Sequence, residues 1–296
     1  MKMLAKIIAK LRLLDAIDLR TQEIQEALGR IEARQLAANG VAGIAQNEFK
    51  VYSQWGEDGI IQYLLRHIDI ERKIFIEFGV QNYSESNTRF LLVNNNWSGL
   101  VIDGSQEYIH YIKRDRIYWQ YNLKAECGFI TRDNINGLFR KNGVEGEIGL
   151  LSVDIDGNDY WVWEAIDSVN PAIVIVEYNA RFGPDKAVTI PYDEKFVRSQ
   201  AHHSLIYYGA SLKALCLLGD RKGYALVGCN SAGNNAFFVR RDLMVPPLRE
   251  LSAAEGFVQN QFREARDENG ALLFLTREQE TALLEKLPLV EVGHES

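Results

Sequence analysis

The chain is poor in cysteine and proline and holds no long apolar run. Its three cysteines, Cys127, Cys216 and Cys229, are scattered and form no C-x-x-C pair. That excludes a disulfide framework and a structural zinc site, and it favours a reducing cytoplasm. No apolar run approaches the ~20 residues of a membrane-spanning helix. The first apolar residues are interrupted by Lys6, Lys10 and Arg12, unlike a signal peptide. No basic domain or basic-aromatic patch offsets the net charge of −7, so nucleic acid is not an expected partner. What is present is globular: 296 residues, 47% hydrophobic and 25% charged, enough to bury a core without staples.

The one basic region is N-terminal. Residues 1–40 carry seven bases against five acids, a net +2, which leaves −9 on the remainder. Steps of three and four run through Ile7, Lys10, Leu14, Ile17, Thr21, Ile24, Leu28 and Ile31. Six of these eight are apolar, as in a coiled-coil seam. Asn39-Gly40-Val41-Ala42-Gly43 then breaks the helix. Three readings fit: a helix packed on its own domain, a coiled coil joining a homo-oligomer, and a weak contact of Met1–Leu14 with the inner face of the membrane. In the third, Leu4, Ile7, Ile8 and Leu11 insert among the bases. The homo-oligomer is the preferred one.

From Lys73 the sequence alternates apolar strands and helices. The strands read as Ile74–Phe78, Gly99–Asp103, Ile117–Asn122, Ile148–Ile155 and Ala172–Glu177, with helices between them. Continuous apolar strands joined by helices imply a parallel sheet covered on both faces. Tyr224–Cys229 and Asn235–Val239 are separated by five residues, too few for a parallel crossover, so they form an antiparallel hairpin. The expected fold is α/β: a Rossmann-like, seven-stranded sheet of the class I type found in S-adenosylmethionine (SAM) methyltransferases, with a C-terminal antiparallel hairpin and an N-terminal helical coiled coil.

In such a sheet the ligand sits beyond the carboxyl ends of the strands. The first strand runs out into Glu77-Phe78-Gly79-Val80-Gln81-Asn82, where Gly79 admits close backbone approach. The second ends in Asp103-Gly104-Ser105, an acid suited to two ribose hydroxyls. Asn122, read as the end of the third strand, is placed to meet an adenine amino group. Glu77, Gly79, Asn82, Asp103, Gly104, Ser105 and Asn122 are therefore the candidate cofactor-binding residues. The fourth strand ends in Asp154-Ile155-Asp156-Gly157-Asn158-Asp159, and Glu177 and Asn179 end the fifth. Acids this close need a cation, a shared proton or a positively charged ligand. Asp154, Asp156 and Glu177 are candidates for orienting an acceptor or taking its proton, and for holding a divalent metal such as Mg. For Asp159, complementing a helix dipole is the plainer role.

Ser53-Gln54-Trp55-Gly56-Glu57-Asp58-Gly59, Phe75–Gly79, Trp97–Asp103 and Ser152–Gly157 together resemble FkbM-type SAM-dependent methyltransferases over about Tyr52 to Arg240. Asp156 stands where that family often has Glu, and the loop after Gly79 is poorer in glycine. The resemblance implies SAM as cofactor and O-methylation of a sugar, nucleotide-sugar or surface glycan. The long stretch Ala180–Ala201 reads as a lid carrying Arg181, Lys186, Tyr192, Asp193, Lys195 and Arg198, suited to polar acceptors. His202, just beyond it, is a further candidate general base. The organisation expected is a helix over 1–40, a methyltransferase domain over 48–241 and a helical extension over 242–296, with helices at Glu255–Arg266 and Thr276–Leu287. A non-catalytic scaffold on the same fold is the competing class.

Overall fold

The computed structural model describes residues 2–293. The chain opens with one long helix, α1 (Lys2–Ala38), and enters the body through α2 (Glu57–His67). Then come β1 (Ile74–Phe78), α3 (Arg89–Asn95), β2 (Ser98–Asp103), α4 (Gln106–Arg114), α5 (Arg116–Gln120) and β3 (Leu123–Cys127). These are followed by α6 (Ile135–Lys141), β4 (Gly146–Val153), α7 (Asp159–Ala165) and β5 (Val169–Glu177). The loop after β5 holds β6 (Val188–Thr189) and α8 (Arg198–Ala201). Next, α9 (Leu212–Arg221) leads to the hairpin β7 (Tyr224–Cys229) and β8 (Asn235–Arg240). The tail adds α10 (Ala253–Gly256), α11 (Arg277–Leu284) and β9 (Val290–Glu291), which pairs with β6.

The main sheet has the order β3-β2-β1-β4-β5-β8-β7. The first five strands are parallel, and β8 lies antiparallel to both β5 and β7. This is the class I methyltransferase fold, with the C-terminal hairpin where the short 229–235 connection requires it. Strand alternation divides the core into two layers. Ile76, Phe78, Leu151, Val153, Val174 and Val176 pack with α6, α7 and α9. Phe75, Val101, Leu150, Ile173 and Ile175 pack with α2, α3 and α4. Glu77, Asp103 and Glu177 continue the parity of this second set, so the strand pleat alone delivers three acids to one side at the carboxyl edge.

Two expected elements differ. Ile117–Asn122 is not a strand: its first part is α5, started by the Asp115 side chain, which accepts the Ile117 N–H at 3.1 Å. The strand begins at Leu123, where Leu123 and Ala125 are buried around exposed Lys124. The aromatic run has strand-like composition, but the local cap wins. In the tail, helix forms over Ala253–Gly256 only, and residues 257–266 run extended across the carboxyl edge. Gly256 seats against Leu226, where a Cβ would lie 2.6 Å from Cδ2. The Tyr178 hydroxyl then donates to the Val258 carbonyl at 2.6 Å and fixes the extended course. The second tail helix is present as α11.

α1 has two faces. Gly29 meets the body, its missing Cβ leaving room for Val51 Cγ2 at 2.3 Å, and the Tyr52 hydroxyl donates to Glu26 at 2.6 Å. On the other face Ile7, Leu14, Ile17, Ile24, Leu28 and Ile31 are all exposed. The side chains of Leu4, Ile8 and Leu11 lie outside the described residues.

Candidate active site

The site forms where β1 and β4 end side by side. Gly79 has φ +65°, and a Cβ there would fall 1.9 Å from the Asp154 carbonyl oxygen. Glycine is therefore obligatory at this crossing. The two residues that follow in left-handed backbone are not glycines: Gln81 has φ 49° and Tyr83 has φ 63°. Side chains hold them there. Asp103 Oδ2 accepts the Gln81 N–H at 2.7 Å, and buried Arg89 donates to the Tyr83 carbonyl at 2.9 Å.

Two cavities flank this crossing. One, of about 190 Å³, is lined by Asp103, Gly104, Phe129, Ile130 and Phe196. The other, of about 150 Å³, is polar and lined by Gln54, Glu77, Asn82, Asn87 and Asn235. Gly79, Gln81 and Asp154 line both, so the cavities meet over the end of β4. In the polar cavity, buried Asn235 Oδ1 has no hydrogen-bond partner. Glu77 accepts from the Asn87 and Thr88 N–H groups at 2.8 and 3.1 Å, fixing the entry to α3. Burial nonetheless lifts its pKa to about 7. Asp103 accepts from Gln81 and from the Ser105 N–H at 2.8 Å, and burial holds its pKa above the usual range.

The acidic cluster sits at the junction. Asp154, Asp156 and Glu177 each offer an oxygen within 4.8 Å of the others. Burial, and then the carboxylates of Asp156 and Asp159, hold Asp154 well above the ordinary carboxylate range. Burial, then Asp154 and Asp156, do the same for Glu177, whose Oε2 is buried without a partner. Asp156 is exposed, in left-handed backbone at φ 55°, and paired to Arg198 at 2.5 Å. Asp159 accepts the Ile155 and Gly157 N–H groups at 2.8 and 2.9 Å, so it shapes the loop that presents Asp154 and Asp156.

Other candidates fall elsewhere. Asn122 precedes β3 rather than ending it, and donates to Ser98 at the opposite end of the sheet. It is removed from the adenine position by the same shift that replaced the expected third strand. Ser105 is the N-cap of α4, accepting from Tyr108, and lines neither cavity. His202 Nδ1 pairs with the Ser204 hydroxyl at 2.7 Å, its ring 4.2 Å from that of His203, and it also lines neither cavity. Of the loop cations, Arg181 is buried against Glu264 and Glu280, and Lys186 pairs with Glu285. The sequence reading missed Phe129, Ile130, Phe196 and Asn235. Correct placement of β3 would have pointed to Gly128-Phe129 as a strand-end pair.

The Ser53–Asp58 motif lies behind the polar cavity and is a clamp. Asp58 Oδ2 accepts from the N–H groups of Val51, Tyr52 and Ser53 and from the Ser53 hydroxyl, at 2.7 to 2.8 Å. Glu57 accepts from Trp55 and Gly56 N–H groups and from the Asn230 and Asn235 side chains. Trp55 stacks on Phe262 of the tail, with ring centroids 5.4 Å apart.

No family model and no curated protein matches the sequence. Among solved structures, the chain is similar to a S-adenosylmethionine-dependent methyltransferase from Clostridium acetobutylicum, at 11% identity over 62% of this chain and 89% of that one, with a TM-score of 0.40. It is similar to the N-terminal domain of EvdMO1 with SAH bound, at 10% identity over 73% and 94%, TM-score 0.41. It is similar also to TrmK from M. capricolum with the cofactor product SAH, at 11% identity over 63% and 70%, TM-score 0.35. At these values the strand order, rather than any single likeness, defines the fold.

Proposed function

We propose that the chain is a SAM-dependent O-methyltransferase, of the FkbM type its motifs resemble, acting on a hydroxyl of a sugar, nucleotide-sugar or surface glycan. The observation that carries this reading is the pair of unlike cavities joined over Gly79 and Asp154. The larger has an acid, Asp103, beside Phe129 and Ile130, which suits a ribose and an adenine. The polar one has orphaned Asn235 Oδ1, an acceptor for an ammonium group. For a ligand with a nucleoside at one end and an amino acid at the other, Asp103 would hold the ribose and Asn235 the amino-acid end, with Gly79 and Asp154 between them.

When bound, SAM supplies an electrophilic methyl: the S–C bond breaks with its electron pair left on sulfur as the acceptor oxygen forms the C–O bond. The chain's own part is to orient that oxygen and take its proton. Asp154, raised by burial and by Asp156 and Asp159, and Glu177, raised by burial and by Asp154 and Asp156, suit this role, since a raised pKa makes a carboxylate a stronger base. In a second arrangement, Asp154, Asp156 and Glu177, whose oxygens lie within 4.8 Å of one another, would hold a divalent metal such as Mg, which would supply positive charge for the acceptor hydroxyl. Titrating Mg into the SAH complex separates the two.

Isothermal titration with SAM and SAH tests the reading. Each charge-assisted bond to a ribose hydroxyl is worth about 1.5–3 kcal/mol, so D103A should weaken SAH roughly 10- to 150-fold. A non-catalytic scaffold would bind neither ligand at millimolar concentration.

The exposed seam of α1 supports a homo-oligomer through this helix. I17E with L28E leaves the Gly29 face intact, and light scattering should then report a monomer. An unchanged mass would end that proposal.

A further inference from the structure

The extended tail segment 257–266 also walls a third cavity, of about 560 Å³. This cavity shares Phe129, Ile155, Asp156 and Phe196 with the one that suits adenosine, so the two lie side by side. Its wall carries three arginines, Arg198, Arg263 and Arg266, against two acids, Asp156 and Glu264. Both carboxylates are taken by Arg198, at 2.5 and 2.9 Å, and Glu264 is shared with buried Arg181 at 3.1 Å. Arg263 lies 5.5 Å over the Phe274 ring. Among the described residues, neither Arg263 nor Arg266 has an ion-pair partner for its guanidinium.

The backbone beneath these two cations is pinned. The Arg266 N–H donates to Ser204 at 3.1 Å, the Ala265 carbonyl accepts from Leu273 at 2.7 Å, and the Gln261 N–H donates to Ala232 at 2.9 Å. We infer that Arg263 and Arg266 bind a phosphoryl group of the acceptor, which makes that acceptor a sugar phosphate or nucleoside-diphosphate sugar. A guanidinium offers a planar fork of donors that matches phosphate oxygens two at a time, and two such forks on a fixed strap are pre-organised for them. The inference rests on the methyltransferase reading and narrows its substrate class.

The test is titration of inorganic pyrophosphate, and separately of glucuronate, into the full chain with and without saturating SAH. Pyrophosphate should bind in both states, and more tightly than glucuronate. The R263A/R266A double variant should weaken it about tenfold or more, with SAH affinity unchanged as the control for folding. K113A/R114A, on α4, should leave pyrophosphate binding unchanged. No pyrophosphate binding, preference for glucuronate, or binding indifferent to the double variant overturns the inference. Failure of SAH to bind overturns the methyltransferase reading instead, and the SAH-free titration still reads the arginine site.

Discussion

The first turn of α2 and the carboxyl ends of β4 and β5 are both acidic and both buried, yet their carboxylates differ in how many hydrogen bonds anchor them. Glu57 accepts four hydrogen bonds shared between its two oxygens, and Asp58 takes four on Oδ2 while its Oδ1 is buried without a partner. Glu177, as deeply buried, has an oxygen with no partner and two carboxylates beside it. Buried carboxylates are normally anchored by hydrogen bonds, as Asp58 is through one oxygen, and Glu177 Oε2 lacks such an anchor beside two further acids. The acids most conspicuous as a motif, Glu57 and Asp58, hold the loop together.

The largest effect that sharpens this contrast is D58A. Four donors lose their acceptor at once in a closed interior, and each buried donor left unsatisfied costs about 1–3 kcal/mol. Urea denaturation should show that loss, while SAH affinity of the folded protein stays within a few-fold. A loss under about 1 kcal/mol would mean that the clamp is dispensable and the contrast false.

E177Q should move stability the other way. Glutamine is neutral at every pH, so it removes the cost of burying a charge or of taking up a proton there without removing any hydrogen bond to Oε2, and relief of such functional strain typically yields about 0.5–2 kcal/mol. E57Q, of the same chemistry in the satisfied region, should destabilise, because its new amide faces N–H donors. If both substitutions shift the urea midpoint at pH 8 in the same direction, the two regions are not different in kind.

The pH profile follows from the same groups. Burial raises Asp58 and Asp159 to about 6 and Glu77 to about 7, with Asp154 and Glu177 well above their usual range. A raised folded pKa means the folded state holds protons that the unfolded state has released. The stabilisation is therefore full below the unfolded values near pH 4 and is lost as pH rises through 6 to 7 and beyond. Each such proton contributes a slope of about −1.4 kcal/mol per pH unit while it is held only in the folded state. SAM, carrying a sulfonium, should release protons from the Asp154–Glu177 pair on binding, and SAH should release fewer. Titration in buffers of different ionisation enthalpy measures the difference, which E177Q should reduce.

The parallel strands and the hairpin were legible because connection length separates a crossover from a hairpin, and the position of Glu77, Gly79, Asp103 and the Asp154 cluster at the carboxyl edge was legible because strand ends place them. Asn122 was misread because Ile117–Tyr121 has strand-like composition and only the Asp115 cap makes it helical. The strap of residues 257–266 was illegible: its spacing suits a helix, and what extends it is a hydrogen bond from Tyr178, 80 residues away. Asn235 was invisible for the same reason. Its amide is held by Glu57, 178 residues distant, and only then is its Oδ1 left facing the cavity without a partner.

The smallest effect concerns Gln81, whose left-handed backbone stands where a glycine would be free of strain. For a residue with a side chain that conformation costs about 1–2 kcal/mol. Glycine in its place relieves that cost but gives the unfolded chain back about 0.4–1 kcal/mol of entropy. Q81G should therefore change global stability by no more than about 1 kcal/mol. Cofactor affinity should still fall a few-fold, because the N–H that Asp103 holds would sit in a loop with more conformations to lose on binding. A gain well above 1 kcal/mol with unchanged SAH affinity would show that the strain at Gln81 is incidental. A near-neutral stability with weakened SAH would show that rigidity in the 79–83 loop, absent any glycine-rich sequence, positions Asp103 for the ribose.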